Sequence, residues 1–267
     1  MIRLLVSDID GTLVRTDKTL SEANIAAIAR ARAAGLRVSL VSARPPSGMR
    51  WIAEALGLDG PIGAFNGATL FEPDGRVISA ERIAAGAAAR ALDIIESRGA
   101  KPWLFADGKW CVHDTDTHHI AHEVKAAGIE PTVLADFGDL VRRADKIVAV
   151  DDDEARLVAT EAALQAALGH DATVARSQVY YCDVMSPGGN KGDGVTALAK
   201  AYGVTLAEVA VLGDQRNDLP MFAVAALSVA MAQGPAEVRA AATHVAASND
   251  ADGVADAIDR FVLPAAR

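Results

Sequence analysis

Cysteine is scarce in this chain: Cys111 and Cys182 are the only two among 267 residues. Two thiols make no disulfide framework, and plain reduced cysteines of a reducing compartment are expected. Aromatic residues are only 4% of the sequence, so the core must be built mainly from small and branched aliphatic side chains. Basic residues are outnumbered, with 26 Lys+Arg against 35 Asp+Glu and a net charge of -9. A nucleic-acid partner is therefore not expected, because a phosphate backbone requires a basic face. No apolar run approaches the ~20 residues that a membrane-spanning helix needs. No apolar leader precedes Asp8, so neither a membrane anchor nor a signal peptide is expected, and a cytoplasmic location is. What the chain does have is 51% hydrophobic residues and a mean hydropathy of +0.18. That supplies a sizeable core for one large domain or two smaller ones.

Strand and helix signals alternate up to about residue 80, which predicts a parallel α/β sheet. Leu4–Ser7 reads as a buried strand, Leu36–Val41 as a second and Pro61–Phe65 as a short third. Ser21 suits the N-cap of a helix stopped by Gly35, and Pro45-Pro46 start another that Gly57 ends. Phe71–Ile78 reads as a hairpin turning at Asp74-Gly75. From about Arg82 the rhythm changes. A helix over 84–99, a hairpin over 103–114, a strand over 146–152, a helix over 154–169 and a strand over 178–187 suggest an insertion with its own sheet. The first rhythm then resumes, with helices over 191–202, 217–225 and 252–262 and strands over 209–214 and 227–231.

In open parallel sheets, reactive groups lie outside the carboxyl ends of the strands. Here those ends carry Asp8 and Asp10, Ser42, Asn66 and Asp214, and Lys191 opens a helix after a glycine-rich turn. Clustered, buried carboxylates cost several kcal/mol unless something compensates them. Mg²⁺ prefers carboxylate oxygens, and a carboxylate can itself attack a phosphoryl group. Ser42, Lys191 and the loop amides from Asp10 to Thr12 suit phosphoryl oxygens. Taken singly, each signal has a plainer reading. Asp8 to Gly11 would be an acidic turn, Lys191 a surface lysine and Ser42 an ordinary strand-end serine. In sequence order and at strand ends, they read as one site.

These residues resemble the four motifs of the haloacid dehalogenase-like phosphohydrolases. DIDGTLV looks like the first, Ser42 the second, Lys191 in GGNKGDG the third, and GDQRNDLPMF the fourth. FNGA at 65–68, DVMSPGGNKG at 183–192 and SNDADGVADAI at 248–258 are similar to the Cof-type branch. The resemblance implies a Rossmann-like parallel-sheet core over 1–81 and 185–267, with an inserted α/β cap over 82–184. It implies a phosphatase acting on a small phosphorylated metabolite, a sugar phosphate or similar, through an aspartyl-phosphate. Asp8 would be nucleophile and Mg²⁺ ligand. Asp10 would be general acid/base, with its carbonyl on the metal, and Asp214 a further ligand. Thr12 would order the loop. Ser42, with the adjoining Ala43, and Lys191 would hold the phosphoryl group, and Asn66 would contact substrate or phosphate. Asn217 and Asp218 would support phosphate and metal, with Arg44 beside them.

Two departures stand out. The branch's Thr-Gly-Arg-Pro is Ser42-Ala43-Arg44-Pro45 here, so Ala43 asks for ordinary backbone angles where glycine is usual. Ala232-Gln233-Gly234 replaces the usual Met-Gly-Asn. A phosphomutase or phosphotransferase on the same scaffold, and a non-catalytic binding protein, are the alternative readings. The expected partner is a small phosphate ester, with the chain a monomer or small homo-oligomer. The histidines His113, His118, His119 and His122 read as a polar helix start facing solvent or the cleft. The alternative for them is a Zn²⁺ site of His118 and His122 with Asp114 or Asp116. Trp103, Trp110 and Tyr180 are expected in the cap core or lining the cleft.

Overall fold

The structure is a computed structural model that describes residues 1–266. Three sheets organise it. The first strand, β1 (Leu4–Ser7), is buried on both faces, as its unbroken apolar run requires. The chain then forms α1 (Glu22–Ala33), β2 (Arg37–Leu40) and α2 (Pro46–Ala55). Ser21 caps α1, its hydroxyl accepting from the Asn24 N–H at 3.2 Å. Next come β3 (Ile62–Ala64), β4 (Thr69–Phe71) and β5 (Val77–Ala80), a small antiparallel sheet that leads away from the core.

Between residues 85 and 185 the chain forms α3 (Ala85–Ser97), β6 (Lys101–Ala106), β7 (Lys109–Val112), α4 (His119–Ala127) and β8 (Thr132–Val133). It continues with β9 (Ala144–Val150), α5 (Glu154–Leu168), β10 (Thr173–Gln178) and β11 (Tyr181–Met185). These six strands make their own sheet, in the order β10-β11-β9-β6-β7-β8. One face packs on α3 and α5 through Leu104, Ile147, Cys182 and Val184. The other carries Trp103, Phe105, Trp110 and Tyr181, and α4 lies over it through Ile120 and Val124.

The core then closes with α6 (Lys191–Tyr202), β12 (Val209–Gly213), α7 (Leu219–Val224), β13 (Leu227–Met231) and β14 (His244–Ala246). Its parallel sheet runs β14-β13-β12-β1-β2. The chain winds one way from β1 to β2 and the other way from β12 to β14, so strand order reverses between β1 and β12. In such sheets that crevice is where ligands sit.

The sequence reading of one strand over 178–187 needs correction. Gln178 ends β10, Val179 and Tyr180 turn, and β11 begins at Tyr181. The helix expected over 217–225 starts as a 3-10 turn at Arg216–Asp218 before α7. The last helix holds a π turn over Ile258–Val262.

Candidate active site

Beyond Ser7 the chain leaves the strand and coils tightly. The Ile9 carbonyl accepts from the N–H groups of Thr12, Leu13 and Val14, which brings Asp8 and Asp10 to one pocket wall. Gly11 has a φ of 76°, a conformation glycine adopts without strain, and a Cβ there would collide with the Asp214 carboxylate. Asp214 stands at the end of β12, so the two acids face each other across the switch point.

Asp8, Asp214 and Asp218 place carboxylate oxygens within 4.8 Å of one another, all buried. Lys191, 1% exposed at the first position of α6, is the cation among them. Its Nζ lies 2.7 Å from Asp8 and 2.5 Å from Asp218. One turn into α6, Gly194 packs backbone against backbone with Gly67 (φ 96°), leaving no room for a Cβ on either. Asp218 is fully committed, since it also accepts from the N–H groups of Asp214 and Gln215 at 2.7 and 2.8 Å. It anchors the loop and leaves Asp8 and Asp214 as the freer donors.

Three acids with one lysine are undercompensated. Burial, with Asp218 and Asp214 adding to it, pushes Asp8 well above the usual carboxylate range despite Lys191. Burial and Asp218 push Asp214 up to about 7. Burial alone would lower Lys191, but Asp218 and Asp8 outweigh it and raise the ammonium instead. An all-oxygen donor set short of positive charge suits a hard divalent cation such as Mg²⁺.

Asp10 has the opposite environment. Arg44 forks onto it, with Nε 2.7 Å and Nη2 2.8 Å from its two oxygens, and Lys18 adds a third contact at 2.7 Å. Burial would raise this carboxyl, but Arg44 and Lys18 outweigh it and hold it well below the usual range. Asp10 is therefore ionised in this arrangement, whereas an initial proton donor was expected. The reason is a cation pair, one member of which, Lys18, carries no sequence signal.

The other expected residues divide. Ser42, Ala43 and Asn217 line the same pocket, of about 90 Å³. The Ser42 hydroxyl accepts from the Arg44 N–H at 3.3 Å. Ala43 is not among the residues with positive φ, so alanine fits there without strain. Thr12 orders the loop through Asp214, donating to it at 3.0 Å. Asn66 lies outside this pocket, in an adjoining groove of about 410 Å³ that it shares with Asn217. Its amide faces the Met185 sulfur at 3.4 Å, and its carbonyl oxygen has no partner.

The four histidines separate, except that His118 and His119 lie ring against ring and share Asp152 in a half-exposed cluster. His113 bonds the Leu134 carbonyl and Glu96, while His118 and His119 lie against Asp152. Only His122 reaches the pocket. With His122 there and His118 grouped with His119 and Asp152, the Zn²⁺ set of His118 and His122 with Asp114 or Asp116 is not assembled among the described residues.

Gln233, whose sequence context marked only a departure, has a clear position. Its Nε2 donates to the Gly11 carbonyl at 2.6 Å and stands 3.4 Å from Asp214, and its Oε1 accepts from the Asn249 N–H. It ties the Asp10–Thr12 loop to the β12 end. Gln233→Leu should loosen that tie. We expect metal affinity to fall about tenfold, as for other groups that orient ligands from behind. The fold should survive, because Gln233 is exposed. Calorimetric Mg²⁺ titration reads the change, and an unaltered affinity would show the tie to be idle.

A capped parallel sheet with a lysine-bridged carboxylate nest at its switch point is the architecture of a phosphoryl-transfer hydrolase. The profile of the haloacid dehalogenase-like hydrolases matches residues 5–258, and the chain belongs to that family. It is 27% identical over 246 residues to the HMP-PP phosphatase of Cronobacter sakazakii, covering 92% of this chain and 89% of that one. A haloacid dehalogenase-like hydrolase from Bacteroides thetaiotaomicron superposes with a TM-score of 0.87 at 26% identity, over 98% of this chain and all of that one. The chain is also 29% identical over 273 residues to the chloroplastic endoribonuclease YBEY of Arabidopsis thaliana, but spans only 46% of that longer protein. Among the described residues, no helix is long and apolar enough to cross a membrane.

Proposed function

We propose that the protein hydrolyses the monoester of a small phosphorylated metabolite, a sugar phosphate or similar, through a phosphoryl group carried on Asp8. The observation that carries this reading is the buried contact of Lys191 with Asp8 at 2.7 Å, set against Asp214 across the switch point. An ionised Asp8 attacks phosphorus. Lys191, the Ser42 hydroxyl and the Asn217 amide hold the phosphoryl oxygens and offset their charge. Asp8, Asp214 and the Asp10 carbonyl would hold Mg²⁺, which supplies further positive charge to those oxygens. Asp10 is the base for the water that cleaves the aspartyl-phosphate, a role its ionised state suits. To serve as acid for the leaving alkoxide it must first part from Arg44 and Lys18 and take up a proton from solvent, which it then passes to the alkoxide oxygen. The segment 82–184 serves as the cap, closing over the cleft and excluding bulk water.

p-Nitrophenyl phosphate tests this reading. Chelation with EDTA should abolish turnover and Mg²⁺ should restore it. Ca²⁺ should not, because its larger, looser shell spoils in-line geometry. The metal must displace a proton from Asp214, whose carboxyl sits at about 7. Apparent Mg²⁺ affinity should therefore rise as pH climbs through 7 and fall below it. Undiminished activity in chelator would overturn the metal assignment.

A further inference from the structure

Each charged side chain lining the Asp8 pocket but one has an ion-pair partner, although the Asp8–Asp214–Asp218 cluster as a whole stays short of positive charge. Lys191 serves Asp8 and Asp218, Arg44 and Lys18 serve Asp10, and Lys146 lies 3.0 Å from Asp183. Glu123, on α4, lines the same pocket and has neither an ion-pair nor a hydrogen-bond partner among the described residues. Beside it in that lining is Tyr181, 6% exposed, whose hydroxyl also lacks a partner. Trp103 stands edge-on to the Tyr181 ring at 5.3 Å and fixes its plane. Both groups belong to the 82–184 segment and line the pocket together with Asp8 and Asp10. The Tyr181 hydroxyl is buried without a partner, which is costly, and the half-buried Glu123 carboxylate has no counter-charge.

Resting on the phosphatase reading above, we propose that Glu123 and Tyr181 form the seat of the leaving alcohol, and that this alcohol carries a cationic nitrogen, a protonated amine or ring nitrogen. A hydroxyl would satisfy hydrogen bonding at Glu123 but would not favour its ionised form. A cation does both. Burial lifts Glu123 to about 7; Lys146 opposes the rise, while Asp183 and Asp10 add to it. The nearest cations are therefore too committed to neutralise it. The favoured ester carries its phosphate toward Lys191 and its positive charge toward α4, both of which line the pocket.

The test is kcat/KM on matched esters that differ by one amine: glucosamine 6-phosphate against glucose 6-phosphate, and phosphoethanolamine against ethylene glycol monophosphate. The amine member should be favoured about tenfold or more in at least one pair, as a charge-assisted hydrogen bond implies. Glu123→Gln keeps the shape and should bring that ratio close to one. Glu123→Lys should invert it and favour 3-phosphoglycerate, whose leaving alcohol carries a carboxylate. This gain is one that a merely unfolded variant cannot show. Turnover of p-nitrophenyl phosphate with no amine preference, or a preference that Glu123→Gln leaves intact, overturns the seat alone. No turnover of p-nitrophenyl phosphate with Mg²⁺ overturns the phosphatase reading beneath it.

Discussion

Asp8→Asn should give no phosphoenzyme and no measurable turnover, while Asp10→Asn should give one rapid turnover and then stall. The two acids stand two residues apart on one pocket wall, and the proposed mechanism gives them different work. Asp8 touches Lys191, the group best placed to hold a transferring phosphoryl oxygen. Its amide variant has no anion with which to attack. Asp10 is clamped by Arg44 and Lys18, and its backbone carbonyl survives the change to asparagine. With p-nitrophenyl phosphate the leaving group needs no proton, so the first step should proceed. The second step lacks its base, and such proton transfer is typically worth ~10²–10⁴ in rate. Rapid-quench kinetics should show a stoichiometric burst, with hydroxylamine-labile phosphate on Asp8. Equal inactivity of both variants without trapped phosphate, or a phosphoenzyme on Asp8→Asn, would overturn this division of labour.

Lys191→Met should cost both activity and stability. The lysine is 1% exposed and bridges two acids that are themselves buried. Removing one partner of a buried ion pair typically costs about 3–5 kcal/mol, because it strands the remaining charge. Urea unfolding in EDTA at pH 8 should show a loss of that order, and kcat should fall about 10²–10³-fold, as when an oxyanion donor is removed. The loss of stability should shrink as pH falls. Without the ammonium, the Asp8 carboxyl rises further in the folded state, so folded protein binds protons more tightly than unfolded chain does. Protonation then favours the fold, and the penalty fades toward the ordinary carboxylate range. Lys191→Met with Asp218→Asn should recover part of the stability and none of the activity. A single variant as stable as the parent at pH 8 would show that the bridge contributes nothing to folding.

The core strands and their acidic ends were legible because the pattern is local. An apolar run that stops on Asp8 or Asp214 is visible within six residues, and α6 spans the expected 191–202. Short edge elements were not. β8 has two residues and β14 three, too few to show alternation. The turn at Val179-Tyr180 is written in strand-forming residue types, which hid the boundary between β10 and β11. Contacts across the sequence left no trace at all. Gln233 meets Gly11 from 222 residues away, and Lys18 reaches Asp10 from a loop with no periodicity. Glu123 sits on a helix whose sequence drew notice for its histidines, while its one unpaired acid became distinctive only when its neighbours were known.

The register of the central strand also fixes an order of assembly. Leu4 pairs with Arg37 on one side and with Val209 on the other. A chain emerging from its N-terminus therefore has β1 and β2 early, but lacks the strand that completes the switch point until most of its length exists. The six-stranded sheet, by contrast, finds every partner between Lys101 and Met185. Closing long loops delays pairing more than closing short ones. Asp8 consequently waits, solvated and without its lysine, while the sheet that will cover it can already take shape. The buried charge cluster is among the last features the nascent chain can make, so water leaves those carboxylates only when their cation has arrived.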